Sequence, residues 1–482
     1  MIRSRAQTWA VWALALTTAL LLIAPVWRAT LRFGTNYNEG WNAVLAARWM
    51  SGEPLYPAFD ALSANNYPPL SFYAAGWLGR WLGDALFAGR LLAFIGLFAS
   101  AVAVAAVVRR LSGGARAGLA SGLLLLGYNA ALYPGYVGID DPQWLGHGIM
   151  LLGLLAFFAS EQRGWLFLLA ASLMLAAGFV KHLLLPIPLA ATLWLALHRR
   201  EALALWLVAC AALLASALAL CFAAYGADFF EGVFRDPRGW SWDRAYSRGG
   251  EWFKTALPLL LLGALALPSA WRRAEGRLVV YYAAVSAALA ISVLGGAGTG
   301  MTAIFDLEIA LCLIIGLAIG RLDEDGRSAP VEGGFVVGPR TGNAAWWILL
   351  LTLGLSLLLP LRLLEARELW RGSERAREAG EVIALLAKQP GPVACEDLSL
   401  CYWAGKGFEI DFFLVGQKLE QGLIDPGVVT ERLRTGYYAA IQTMANDGSS
   451  NRLPPDINRE IAADYKVVRT GPEGAVLAPR RP

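Results

Sequence analysis

The sequence is poor in charge and in the side chains that bind metals. Only 16% of its 482 residues are Asp, Glu, Lys or Arg, where an ordinary soluble domain carries about 25%. Five cysteines are scattered without CxxC or zinc-like spacing, which argues against a metal–thiolate centre. His147 and His198 have no ligand-like neighbours in sequence and read as structural. The net charge of +4 is small and forms no single basic patch, so nothing asks for nucleic acid. No internal repeat or low-complexity tract stands out. What the chain has in excess is apolar length: 57% hydrophobic residues and a mean hydropathy of +0.49. These residues come in long blocks, and about 20 of them cross roughly 30 Å of hydrocarbon. The expected fold class is therefore a polytopic α-helical membrane protein.

Apolar blocks begin near Trp9, Gly89, Ala117, Trp144, Trp165, Leu183, Ala202, Thr255, Leu278, Ala303 and Ala344, which predicts about eleven transmembrane helices. The first follows Arg3 and Arg5, is near full span length and lacks a small-x-small cleavage site, so it reads as a retained helix. Alternate connections hold Arg109-Arg110 with Arg116, Arg163, Arg199-Arg200, Arg272-Arg273 with Arg277, and Arg321 with Arg327. That alternation predicts a cytoplasmic N-terminus in a multi-pass plasma (inner) membrane protein. Loops 28–88, 133–143 and 225–254, with Lys181-His182 and Gly295 to Thr302, then face outward.

The membrane domain is expected over 1–363, and an odd span count places 364–482 outside as a small α/β domain. Within it, Ser373 to Lys388 reads as an amphipathic helix and Pro392 to Glu396 as a strand. Phe408 to Phe413 suggests a second strand, and Val428 to Arg434 part of a helix. Cys395 and Cys401 would lie in an oxidising compartment; whether they are joined depends on a Cα separation that sequence does not supply. Cys210, Cys221 and Cys312 sit in apolar runs as small hydrophobes. Asp323 to Gly342 reads as a Gly- and charge-rich linker.

Polar chemistry clusters in the outer loops. From Glu39 to Met50 the pattern is helical, with Trp41, Leu45 and Trp49 on one face, as expected of a helix lying in the membrane interface. Glu39 would sit in its first turn, either complementing the helix dipole beneath an Asn38 cap or acting in catalysis. Asp140 and Asp141 adjoin Gly138 and Pro142, either as a solvated helix cap or as a costly pair at a helix mouth. Lys181 could snorkel to the interface or face a lipid phosphate. The 225–254 loop mixes Phe229, Phe230, Phe234, Trp240, Trp242 and Trp252 with Arg235, Arg238, Arg244 and Arg248. It suits either an aromatic belt or a lipid phosphate beside a sugar face.

The order of these segments resembles the GT-C glycosyltransferases, in particular bacterial relatives of protein O-mannosyltransferases and lipid A aminoarabinose transferases. The resemblance covers about the first 320 residues. It is carried by Asn36 to Gly52, by Ala64-Asn65-Asn66-Tyr67-Pro68-Pro69-Leu70-Ser71-Phe72-Tyr73, by Gly89-Arg90-Leu91, and by Gly295-Gly296-Ala297-Gly298 leading to Phe305-Asp306. It implies a glycosyltransferase that moves a sugar, with inversion, from a polyprenyl-phosphate-linked donor to a glycan, lipid or protein acceptor on the outer face. The residues it implies are Glu39 as general base, Asp140 or Asp141 assisting, Lys181, His182 and Arg244 for the phosphate, and Tyr67 lining the donor site. No cofactor is certain, and a divalent metal remains an option for the departing phosphate. Many relatives have Asp-Glu where this chain has Asn38-Glu39, which leaves one carboxylate there and speaks against a metal. A transporter or flippase of lipid-linked glycans is the alternative; such proteins often carry paired repeats and midplane charges, which this sequence does not display.

Overall fold

Backbone polar groups in hydrocarbon must be satisfied within the segment itself, which long apolar blocks achieve as helices. That is their state in the computed structural model, which describes residues 2–161, 163–235, 238–328, 344–371 and 373–480. In chain order the first helices are α1 (Ile2–Leu21), α2 (Ile23–Ala29), α3 (Tyr37–Ser51), α4 (Leu70–Leu82), α5 (Ala85–Ser112) and α6 (Ala115–Leu132). Then come α7 (Gln143–Ala159), α8 (Trp165–Val180), α9 (Pro186–His198), α10 (Arg200–Tyr225) and α11 (Ala227–Phe230). The bundle is completed by α12 (Trp242–Trp271), α13 (Ala274–Leu294), α14 (Phe305–Ser328), α15 (Ala344–Ser356) and α16 (Leu359–Arg371).

Each expected apolar block is helical, but the count of eleven spans is not confirmed. Among the described residues six stretches are long and apolar enough to cross a membrane, and seven if the bent pair α15–α16 is one span. Helices α7, α8 and α9 are apolar but shorter, because the chain turns at Ile139–Pro142 and Lys181–Leu185 instead of running on. The span Met301–Leu322 has 94% of its apolar window buried against 6% for α10, so α14 is the central helix and α10 a peripheral one. Gly118 and Gly122 let α6 close on α5: a Cβ at either would stand 2.4 or 2.5 Å from the carbonyl oxygen of Ala105 or Ala101.

The C-terminal region is a four-stranded sheet with helices. Strands β1 (Val393–Cys395), β2 (Ala440–Thr443), β3 (Tyr465–Gly471) and β4 (Gly474–Pro479) lie in the order β1-β2-β4-β3. The β1–β2 pair is parallel and the others antiparallel. Its helices are α17 (Ser373–Ala387), α18 (Leu398–Trp403), α19 (Phe412–Glu420), α20 (Pro426–Arg434) and α21 (Pro455–Asp464). Ala394, Ile441, Leu477, Val415, Leu433 and Ile457 share its core. The helices expected near 373–388 and 428–434 and the strand near 392–396 are present. Phe408 to Phe413 is not a strand: the Asp411 carboxylate accepts from the Phe413 and Leu414 amides and starts α19 there. Cys395 and Cys401 are joined, with Cα atoms 5.9 Å apart. The boundary expected at 363 falls inside α16, and the expected Asp323 to Gly342 linker is helical to Ser328 and beyond that lies outside the described residues.

The sheet domain is seated on the bundle through α18. Trp403 Nε1 donates to Asp84 at 2.9 Å, and the Ala85 amide donates to the Tyr402 hydroxyl at 2.6 Å. A Cβ on Gly40 would lie 2.0 Å from the Ser399 nitrogen, so α3 and α18 touch backbone to backbone only because residue 40 is glycine. Trp41 and Leu45 are buried against this packing, with Trp41 edge-on to Tyr67 and Phe72. The apolar face of α3 is thus a protein core, a correction to its expected place against lipid.

Candidate active site

Charge gathers where the bundle meets the sheet domain. Asn36, not Asn38, caps α3 by accepting from the Asn38 amide. Glu39 follows, fully buried, with both carboxylate oxygens engaged. Arg90 donates to it through Nε at 2.7 Å and Nη2 at 2.9 Å, the Thr35 amide and hydroxyl at 2.8 and 2.7 Å, and the Asp140 amide at 3.0 Å. The same guanidinium donates to the carbonyls of Ala29, Leu31 and Phe33, tying the chain that leaves α2 to α5. Burial by itself would raise the Glu39 carboxyl, but Arg90 and Thr35 outweigh it and hold the group below its ordinary value. Beside it, burial and then the Glu39 charge push the Asp140 carboxyl well above the aspartate range, and its Oδ2 has no hydrogen-bond partner among the described residues.

Past this pair opens a cavity of about 520 Å³, the size of a small-molecule site. Lys181 lies in its wall, 3% exposed, with Nζ 2.8 Å from Asp141 Oδ1 and 5.3 Å from the centre of the Tyr67 ring. Burial would strip the ammonium of its proton, but Asp141 and Tyr67 more than compensate, so its value is raised. Asp141 also accepts from the Gln143 amide at 2.8 Å and from Asn38 Nδ2 at 3.2 Å. Arg238 and Arg248 add positive charge to the lining. Arg248 donates to the Gly296 and Thr299 carbonyls and so pins the glycine-rich segment after α13. Gly298 there has φ +69°, and a Cβ would press 2.5 Å from Phe413, which comes from the sheet domain.

The sheet domain completes the wall. Asp411 accepts from Tyr37 Oη at 2.6 Å and Trp41 Nε1 at 3.0 Å, and Arg452 lies 4.0 Å over the Tyr37 ring. In the same lining, Asp306 in the first turn of α14 accepts from Tyr282 Oη at 2.7 Å, with His147 Nδ1 at 3.9 Å. Asn66 also faces the cavity and is 6% exposed.

Solved structures share this architecture. ArnT from Cupriavidus metallidurans matches over 98% of each chain at a TM-score of 0.60, with 17% identity in the apo state and 16% when bound to undecaprenyl phosphate. The Archaeoglobus fulgidus oligosaccharyltransferase, in complex with Zn and sulfate, matches over 89% of this chain and 67% of its own, at TM-score 0.53 and 12% identity. This chain has an ArnT-like fold. No protein-family model and no curated protein sequence matches it.

Within this fold the expected site residues separate into two groups. Asp141, Lys181 and Tyr67 meet in the cavity. Glu39 and Asp140 lie outside its lining, and a carboxylate already holding five hydrogen bonds is a poor base, so the geometry gives Glu39 a positioning part. His182 packs edge-on to Tyr67 outside the lining, and burial, then Arg238 and Lys181, lower it to about 4. Arg244 spends its guanidinium on the Gly295 and Gly239 carbonyls, and Arg238 takes the place in the lining expected of it. Among the described residues no three His, Cys, Asp or Glu side chains are grouped to hold a metal ion.

Sequence reasoning gave no role to Asp411, Arg452, Asn66 or Asp306. Only Asp306 carried a signal, being an acid inside an apolar run.

Proposed function

We propose that this protein transfers a sugar from a polyprenyl-phosphate-linked donor to an acceptor on the outer face of the membrane, inverting the anomeric carbon. The observation that carries the reading is Lys181: an ammonium kept charged in a buried wall, on a cavity at the domain-bearing end of an ArnT-like bundle. A buried ion pair such as Lys181–Asp141 is often no more stabilising than apolar residues of similar volume, which favours a use for the charge beyond stability. A departing lipid phosphate offers such a use, and undecaprenyl phosphate is what the ArnT structure of this fold binds. In direct displacement the acceptor oxygen attacks the anomeric carbon, and the bond to the phosphate oxygen breaks with its electron pair. Lys181 and Arg238 stabilise the charge that develops there. Asp141 fixes Lys181 and Asn38, while Tyr67, Trp41 and Asn66 offer ring faces and an amide to the sugar. The alternation of arginine clusters supports placing this end outside the cytoplasm.

The test uses purified protein in liposomes with a panel of undecaprenyl-phosphate-linked hexoses and pentoses, water and envelope extract serving as acceptors. Release of undecaprenyl phosphate is expected from at least one donor. Lys181→Ala should lower it by about 10²–10³-fold, the usual loss for a group stabilising developing charge. Lys181→Arg, which keeps the charge, should lose less. Movement of intact lipid-linked sugar across the bilayer without bond cleavage would establish the transporter reading instead.

A further inference from the structure

Resting on that reading, the remaining need is a group that takes the acceptor proton. Among the described residues three carboxylates line the cavity: Asp141, Asp411 and Asp306. A carboxylate is a weaker base the more donors it serves, and weakest when one of them is a cation. Asp141 is bound to the Lys181 ammonium, to Asn38 and to the Gln143 amide. Asp411 is engaged by Tyr37, Trp41 and two backbone amides. Among the described residues Asp306 has one hydrogen bond, from the neutral Tyr282 hydroxyl, and it reaches only Oδ1.

The elements around Asp306 are arranged to keep it in place without neutralising it. The Gln143 amide group donates to His147 Nε2 at 2.8 Å, which leaves the imidazole proton on Nδ1, facing Asp306 Oδ1 at 3.9 Å. That is longer than a hydrogen bond, a common state for a catalytic contact before substrate binds. Ser286 donates to the Tyr282 carbonyl and steadies the helix turn that carries the phenol. First-turn placement in α14 favours negative charge on Asp306. His147, Tyr282 and Gln143 are thus positioning residues for one open carboxylate oxygen.

We infer that Asp306 is the general base of the transfer, acting from the transmembrane helix α14 in place of the carboxylate that Asn38 does not supply. Asp306 Oδ2 removes the acceptor hydroxyl proton as the acceptor oxygen bonds to the anomeric carbon. The anomeric bond to phosphate breaks and its electron pair leaves with the polyprenyl phosphate, held by Lys181. The products are the glycoside, polyprenyl phosphate and protonated Asp306, so atoms and charge balance.

The experiment compares wild type, Asp306→Asn and Asp306→Ala in single-turnover release of undecaprenyl phosphate. Undecaprenyl phosphate binding by native mass spectrometry and thermal stability are measured alongside. Both variants should lose about 10²–10⁴-fold in turnover, the contribution of a general base, with lipid binding unchanged. Added formate should restore turnover to Asp306→Ala, whose side-chain space can admit it, but not to Asp306→Asn. Wild-type turnover in Asp306→Asn overturns the proposal. So does loss of lipid binding together with turnover and no response to formate, or unfolding of both variants, since each marks a structural acid. Failure of the wild type to release lipid from any donor would instead count against the transferase reading itself.

Discussion

Replacing Glu39 with glutamine separates a scaffold residue from a catalytic one. Glutamine keeps the size and one carbonyl acceptor, but it removes the charge that answers Arg90 and presents an amide to donors. Arg90 is 2% exposed and Glu39 fully buried, so the guanidinium cannot turn to water. Breaking a buried pair by removing one partner costs about 3–5 kcal/mol. The expected result is a fall in melting temperature of about 3–5 °C in detergent for a chain of this length, with lipid binding and turnover falling only as the folded fraction falls. The pair is also a pH device. The Glu39 carboxyl is held below its ordinary value of 4.5, so the stability it supplies is complete above that value and is lost as pH falls through the lowered one. Glu39→Gln should therefore flatten the acid side of the stability curve. Thermal shift followed from acid to neutral pH, run with the turnover assay, reads both effects. Unchanged stability with abolished turnover in Glu39→Gln would refute the scaffold reading and return the base to Glu39.

Other perturbations probe the surrounding contacts. Gly89→Ala should lower stability by about 1–3 kcal/mol, the usual cost of overpacking, because the new methyl would stand 1.9 Å from Asp140 Oδ1; thermal shift reads it. Asp411→Ala removes the acceptor shared by Tyr37 and Trp41. It should cost about 1–3 kcal/mol and change tryptophan emission, and an unaltered spectrum would mean the sheet domain does not hold Trp41. A periplasmic reporter fused after Ser373 should be active and one after Gly326 silent; the same signal from both would reverse the assigned topology.

How much of this was legible depended on the range of the interaction. The apolar blocks, the α3 helix and the helices expected near 373–388 and 428–434 follow from local periodicity and caps, and all are present. Lys181 and Asp141 were visible as charges beside apolar runs, although their 2.8 Å pairing joins segments 40 residues apart. The misreadings share one cause. The Trp41 face and the Phe408 to Phe413 segment were each judged from local pattern and decided by the folded surroundings: α18 for α3, the α19 amides for Asp411. The count of eleven spans is not confirmed, because composition marks apolar blocks but not which of them cross.

The same asymmetry bears on the chemistry. A carboxylate next to the first span is conspicuous in sequence, and in this fold it invites a catalytic role. Yet a base needs an oxygen with nothing else to bind, and hydrogen-bond saturation is a property of the folded surroundings alone. By that measure Glu39, with five donors around it, is the most committed acid at the site, and Asp306, with one phenol among the described residues, the least committed of the carboxylates lining the cavity. The residue beside Glu39 is Asn38, which donates to Asp141 where an aspartate would repel it. An asparagine at 38 thus lets Asp141 sit close to α3 and hold Lys181 in the cavity wall, and it leaves proton transfer to an acid on α14. Asn38→Asp should accordingly weaken donor binding through repulsion of Asp141, without restoring turnover to Asp306→Asn. If it does restore turnover, the base belongs at position 38 and the division of labour between Asp141 and Asp306 is wrong.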